Sequence, residues 1–119
     1  MTGSALTLVL SSILVFNQDD GQFLSEVRTP QELCGYLDTV LRGKVTHFFM
    51  CPNAQRCNIP SDVFEPCWLA LEEKPERIAR RGKPWALKTM FDRGIDPYAV
   101  WISHCRKKGV SPWITMRMN

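Results

Sequence analysis

Twice in this chain a helix gives way to an apolar run within one or two residues, at Gly43-Lys44 and again at Gly109. A turn that short closes the helix on a glycine and returns the following strand alongside it, so helix and strand must pack as adjacent layers. The first helix is heavily signposted. Thr29 is a good N-cap, Pro30 occupies the first helical position and Glu32 completes a capping box. Leu33, Tyr36, Leu37, Val40 and Leu41 recur at helical spacing and form one apolar stripe.

Residues 12–16 are apolar and rich in branched side chains, and the polar cluster Asn17-Gln18-Asp19-Asp20 bounds them, which predicts a strand buried on both faces. Residues 45–51, with Phe48, Phe49 and Met50, predict a second strand. Strand, crossover helix and strand in that order make a parallel βαβ unit. Pro52, Pro60, Pro66, Pro75 and Pro84 then exclude a long helix, leaving room for a short helical piece over 63–72 and a helix over 85–93 closed by Gly94. Asp96-Pro97 repeats the cap-then-proline start, and Tyr98, Trp101, Ile102 and Cys105 form the stripe of a third helix. Arg106, Lys107 and Lys108 complement the dipole at its end. Residues 110–116 are the third strand, with Pro112 tolerable near its start. The class is therefore α/β, a parallel βαβαβ segment.

The connections are asymmetric. Helix-to-strand turns are minimal, whereas the strand-to-helix connections 17–28 and 52–83 are long. Long ordered connections are usually functional, and in parallel β/α folds ligands bind at the end of the sheet that carries them. The formal net charge of +3 points to neither nucleic acid nor a membrane surface. The densest basic run, 74–83, also contains Glu76 and reads as a solvated loop. The apolar run 6–16 lacks a preceding Lys or Arg and a small-residue cleavage site, so its second half reads as strand and not as an export signal. Five cysteines without a CxxC pair, and only two histidines, give no metal-ligand spacing. Cys34 and Cys105 fall on helix stripes as small hydrophobes, consistent with reduced thiols in a reducing, cytoplasmic setting. His104 and Cys105 are helix neighbours that do not face each other, and no phosphate loop, Ser-His-Asp set or HExxH is present. No cofactor is implied.

The segments Arg93-Gly94-Ile95-Asp96-Pro97-Tyr98, His104-Cys105-Arg106-Lys107-Lys108-Gly109 and Trp113-Ile114-Thr115-Met116-Arg117-Met118-Asn119 resemble bacterial glycoside-hydrolase-like barrels, glycosyl-hydrolase-like family ten. Phe16-Asn17-Gln18-Asp19-Asp20-Gly21 is similar to the end of that family's opening strand. The resemblance implies that residues 1–119 are the amino-terminal part of a single TIM-type barrel, its first three β/α units, acting on carbohydrate. An eight-stranded barrel needs about 250 residues, so the remaining strands would be supplied from beyond Asn119. Catalytic carboxylates would come from those later strands, and the isolated chain is expected to be inactive. A second reading is a complete small α/β binding or assembly module that covers its open sheet edge with a dimer mate.

Asn17, Asp19 and Asp20 at the first strand's end, Asn53 past the second, and Arg117 and Asn119 at the third are the candidate carbohydrate contacts. Polar side chains there exchange hydrogen bonds with hydroxyls, and Arg117 offers a fixed fork of donors. The same aspartates also suit a solvated turn. Being adjacent on a strand, Asp19 and Asp20 are poorly placed as a glycosidase acid/base pair. Trp68 and Trp85 flank the long loop and suit either stacking on a sugar or anchoring the loop.

Overall fold

The computed structural model describes residues 12–19, 22–53, 56–69 and 82–117. Strands β1 (Val15–Gln18), β2 (His47–Met50) and β3 (Ser111–Ile114) form one parallel sheet in the order β1-β2-β3. Helix α1 (Pro30–Val40) lies between β1 and β2 in the chain, and α2 (Lys83–Asp92) and α3 (Pro97–Lys107) lie between β2 and β3. A 3-10 turn, Phe23–Ser25, leads into α1. The protein is a small α/β domain.

The caps explain where these helices start and stop. Glu32 N donates to Thr29 Oγ1 at 3.2 Å while Thr29 N donates to Glu32 Oε2 at 2.7 Å, a reciprocal capping box. Asp96 Oδ1 accepts from both Tyr98 N and Ala99 N at 3.0 Å. After α3, Gly109 adopts φ +72°, and Val110 N turns back to Cys105 O at 2.9 Å. Only a residue without a Cβ takes that left-handed step cheaply, and it delivers the chain into β3 at once. Gly43, at φ +82°, does the same before β2. Helix α2 begins at Lys83, two residues before the expected Trp85, because Pro84 is tolerated in a first turn that needs no intrahelical donor.

The register fixes what each strand shows to each side. Val15, His47 and Ser111 stand in one row, Phe16, Phe48 and Pro112 in the next, then Asn17, Phe49 and Trp113, then Gln18, Met50 and Ile114. Side chains alternate along a strand, so the even-numbered residues share one face and the odd-numbered ones the other. The even face carries the core: Phe48 and Met50 are fully buried with Leu33 and Leu37 of α1 and Trp101 and Cys105 of α3. Trp101 is its hub. Its ring lies 5.8 Å from Phe48 and from Tyr36, 6.1 Å from Tyr98 and 6.3 Å from Phe23, and its Nε1 donates to Leu33 O at 3.0 Å. Buried Ala86, Leu87 and Met90 of α2 join the same cluster as Leu24 of the 3-10 turn.

The second strand covers His47–Met50 of the expected 45–51 and the third Ser111–Ile114 of the expected 110–116, and three further expectations change. The first strand runs over 15–18 and not 12–16. Leu14 N is taken by Thr46 Oγ1, so regular pairing starts one residue later. Gln18 stays in the strand, 4% exposed, because its amide is satisfied within the fold. The expected helix over 63–72 does not form over 63–68, where Ser61 Oγ accepts from Val63 N and Phe64 N and the chain bends and turns; helical conformation begins only at Leu69. Residues 70–72 of that expectation lie outside the described residues. Cys34 is half-buried rather than buried, since it sits at the margin of the α1 stripe.

Pro112 costs the ladder nothing. Ser111 N donates to Thr46 O and Thr115 N to Met50 O, so the odd residues of β3 bond to β2 and Pro112 falls in the outward phase.

Candidate functional site

All three strands deliver their carboxyl ends to one rim, and three of the candidate residues meet there. Arg117 donates through Nη2 to Asp19 Oδ1 at 2.7 Å. Neighbouring strands lie about 4.8 Å apart, so a link from the end of β1 to the end of β3 must reach over β2. A long guanidinium stem can do that; a lysine could reach but would not fork. Between them stands Asn53. Its Nδ2 donates to Arg117 O and its Oδ1 accepts from Arg117 N, both at 3.1 Å. A side-chain amide here imitates a strand backbone. It carries the β2–β3 pairing past Thr115, whose N and Oγ1 both donate to Met50 O. Cys51 Sγ in turn reaches Asn53 O at 3.1 Å and Asn53 Oδ1 at 3.4 Å. Arg117 is therefore positioned through its backbone by Asn53 and through its side chain by Asp19.

The ion pair is open to water, with the Asp19 side chain 74% and the Arg117 side chain 53% exposed. At that exposure it contributes about 0.2–1 kcal/mol, which orients two groups but does not hold a fold together. Asp19 Oδ2 and the rest of the guanidinium fork have no partner among the described residues, which leaves an acceptor and donors open to water. What this cluster can do is bind hydroxyls or amides. Among the described residues it holds one carboxylate, already paired with a cation, where acid/base hydrolysis uses two.

Asn17 lies two residues back from Asp19, on the odd face of β1, and is exposed. It belongs to the row Asn17, Phe49, Trp113, not to the rim cluster. Asp20 and Asn119 lie outside the described residues. Trp113 is 53% exposed on the odd face, 6.2 Å from the Phe49 ring, with Nε1 donating to Ser111 Oγ. Trp68 and Trp85 are loop and helix anchors: both are partly buried against the core, and Trp68 lies 5.9 Å from Phe91.

The loop after β2 is folded, not slack. Asn58, 1% exposed, donates from N to Pro52 O at 2.7 Å, and Cys57 exchanges bonds with Glu65 O and Cys67 N. Beside the end of β1 opens a cleft of about 810 Å³ lined by Gln18, Asp19, Gln22, Ser25, Glu26 and Tyr36, with Phe23 and Arg28 behind. Tyr36 donates from its hydroxyl to Gln18 Oε1 at 2.6 Å, and Gln18 Nε2 donates to Asp19 O at 3.2 Å. The Phe23 ring is clamped between Tyr36 at 4.1 Å and the Arg28 guanidinium at 4.3 Å. Arg28 is further held by Phe23 O and by Glu26.

Elsewhere the reactive groups serve structure. Burial pushes the thiols of Cys67 and Cys105 up to about 11, which keeps them protonated and poorly nucleophilic. His104 Nε2 lies 2.7 Å from Asp38 Oδ1 and Lys108 Nζ 3.2 Å from the same oxygen, pinning α3 to α1 away from the rim. The hydrogen bond from His104, then that from Lys108, holds the Asp38 carboxyl below its ordinary 3.8. No group of three or more metal-ligating side chains comes together among the described residues. No protein-family model matches the chain, and no curated protein matches it.

Proposed function

We propose that this chain is the substrate-facing amino-terminal part of a β/α barrel that acts on carbohydrate, providing the first three β/α units and a set of ligand contacts. The observation that carries the reading is the meeting of Asp19, Asn53 and Arg117 at the carboxyl ends of three adjacent parallel strands. Parallel β/α folds place their ligands at that end. Hydrogen-bonding groups fixed by one another, in open water contact, suit a hydroxyl-rich ligand better than an apolar one. Hydrolysis itself would follow the two-carboxylate route through an oxocarbenium-like transition state, with both carboxylates on later strands. The role of this segment is binding and orientation.

The test is saturation-transfer NMR of the purified chain against a panel of neutral mono- and oligosaccharides. At least one is expected to bind, with loss of transfer in Arg117→Ala. A panel without a binder would overturn the reading. The purified chain is expected to leave aryl glycosides uncleaved, and turnover would place working carboxylates within residues 1–119.

The odd face of the sheet favours a second reading, an assembly module whose partner is another copy of the chain. Val15 and Trp113 on that face, and Ile13 before it, are exposed. Sedimentation separates the two: a reversible dimer that buries Trp113 supports the module, and a monomer does not.

A further inference from the structure

Resting on the carbohydrate reading above, we propose that the cleft beside β1 is a second sugar position continuous with the strand-end cluster, so that the ligand spans at least two sugar residues. Asp19 belongs to both places. Its Oδ1 is engaged by Arg117 at the rim, its backbone O is engaged by Gln18 on the cleft side, and its Oδ2 has no partner among the described residues. One carboxylate thus borders two adjoining spaces, as a group shared by consecutive rings would.

The cleft's chemistry selects the ligand class. Its floor is a buried amide and a phenol hydroxyl in contact, Gln18 and Tyr36, and each keeps hydrogen-bonding capacity beyond their mutual bond. Its rim carries Gln22, Ser25 and the carboxylate of Glu26. Two carboxylates disfavour an anion. The guanidinium of Arg28, fixed over Phe23, disfavours a free cation. A neutral ligand with several hydroxyls meets neither penalty. The volume of about 810 Å³ falls in the range of small-ligand sites, roughly 300–1,000 Å³. The clamped Phe23 has both ring faces occupied, so it offers no stacking face, and the sugar is held there by hydrogen bonds. Weak, millimolar binding that gains from the neighbouring position is the consequence.

Amide chemical-shift mapping tests this with glucose, mannose and xylose and with cellobiose, mannobiose and xylobiose. At least one disaccharide is expected to move Ser25, Arg28 and Tyr36 together with Asn53 and Arg117. Tyr36→Phe is expected to weaken that disaccharide about fivefold, the worth of one hydrogen bond, while leaving the matching monosaccharide at Asn53 and Arg117 unchanged. Tyr36→Phe also strips a partner from buried Gln18, so Glu26→Ala provides the same comparison without touching Gln18; it removes only an exposed carboxylate at 3.5 Å from Arg28, whose bond to Phe23 O remains. Shifts confined to Asn53 and Arg117 and insensitive to both variants would overturn the second position and leave the strand-end reading standing. Silence at both places with all six sugars would overturn both.

Discussion

The two faces of the sheet are made from similar residues and treated in opposite ways. On the even face Phe48 and Met50 vanish beneath α1 and α3, and Trp101 is wedged among four aromatic rings. On the odd face Phe49 is half-covered and Val15 and Trp113 stand open. Sequence makes the strands apolar on both sides, which is the pattern of sheets covered twice. Among the described residues, helices supply one cover. Adjacent phenylalanines, Phe48 and Phe49, therefore live in different environments though nothing in their identity separates them.

Mutations can break that contrast. Trp101→Ala should cost about 3–5 kcal/mol in denaturant unfolding, for the lost burial and the cavity left, whereas Trp113→Ala should stay within about 0.5 kcal/mol. Equal costs would mean that Trp113 is covered in solution. Next in size, Phe48→Ala should cost several times what Phe49→Ala does in the same assay. Removing the cap in Thr29→Ala should cost about 1 kcal/mol, because Glu32 N at the start of α1 loses its acceptor. Arg117→Ala should cost no more than about 0.2–1 kcal/mol, while abolishing sugar binding if the rim is the site.

Acid and alkali sharpen the same comparison, since both sensitive spots lie off the odd face. The folded Asp38 carboxyl titrates below its ordinary 3.8, so the contribution of its contacts with His104 and Lys108 is present above that value and is lost as pH falls through and beneath it. Asp38→Asn should flatten that acid limb in a melting-temperature profile. Cys105 runs the other way. Its thiol is raised from 9.0 to about 11, so the stability tied to its neutral form is intact below 9 and drains away as pH climbs from there. A melting temperature that holds steady from pH 8 to 11 would contradict this.

Local chemistry made much of the fold legible. Thr29-Pro30-Gln31-Glu32, Asp96-Pro97, Gly43 and Gly109 each act within a turn of chain, and the structure keeps them all in the roles their side chains suit. Gln18 was misjudged because its place in the strand depends on Tyr36, eighteen residues later. The Ser61 turn displaced the start of an expected helix because one hydroxyl bonding two amides competes with helical pairing. Proximity at the rim was partly legible: strand ends in a parallel sheet share a side, so Asp19, Asn53 and Arg117 were bound to be near one another. The manner of their contact was not, because Asn53 behaving as a piece of backbone depends on a spacing of 64 residues along the chain. The cleft escaped notice altogether, since its lining comes from a strand, a 3-10 turn and a helix face whose apposition no periodicity encodes.

Pro112 has a consequence beyond its own strand. The outward phase of β3 has no N–H at that position, so its first outward donor is Ile114. A strand arriving at this edge can find a full complement of bonds only from Ile114 onward, and any slide toward the amino end forfeits one. The ring is a keyed notch: it tells an incoming strand where to begin. It also spoils the unbroken ladder that fibrils require, because stacking on this edge would leave a carbonyl facing a missing proton at every repeat.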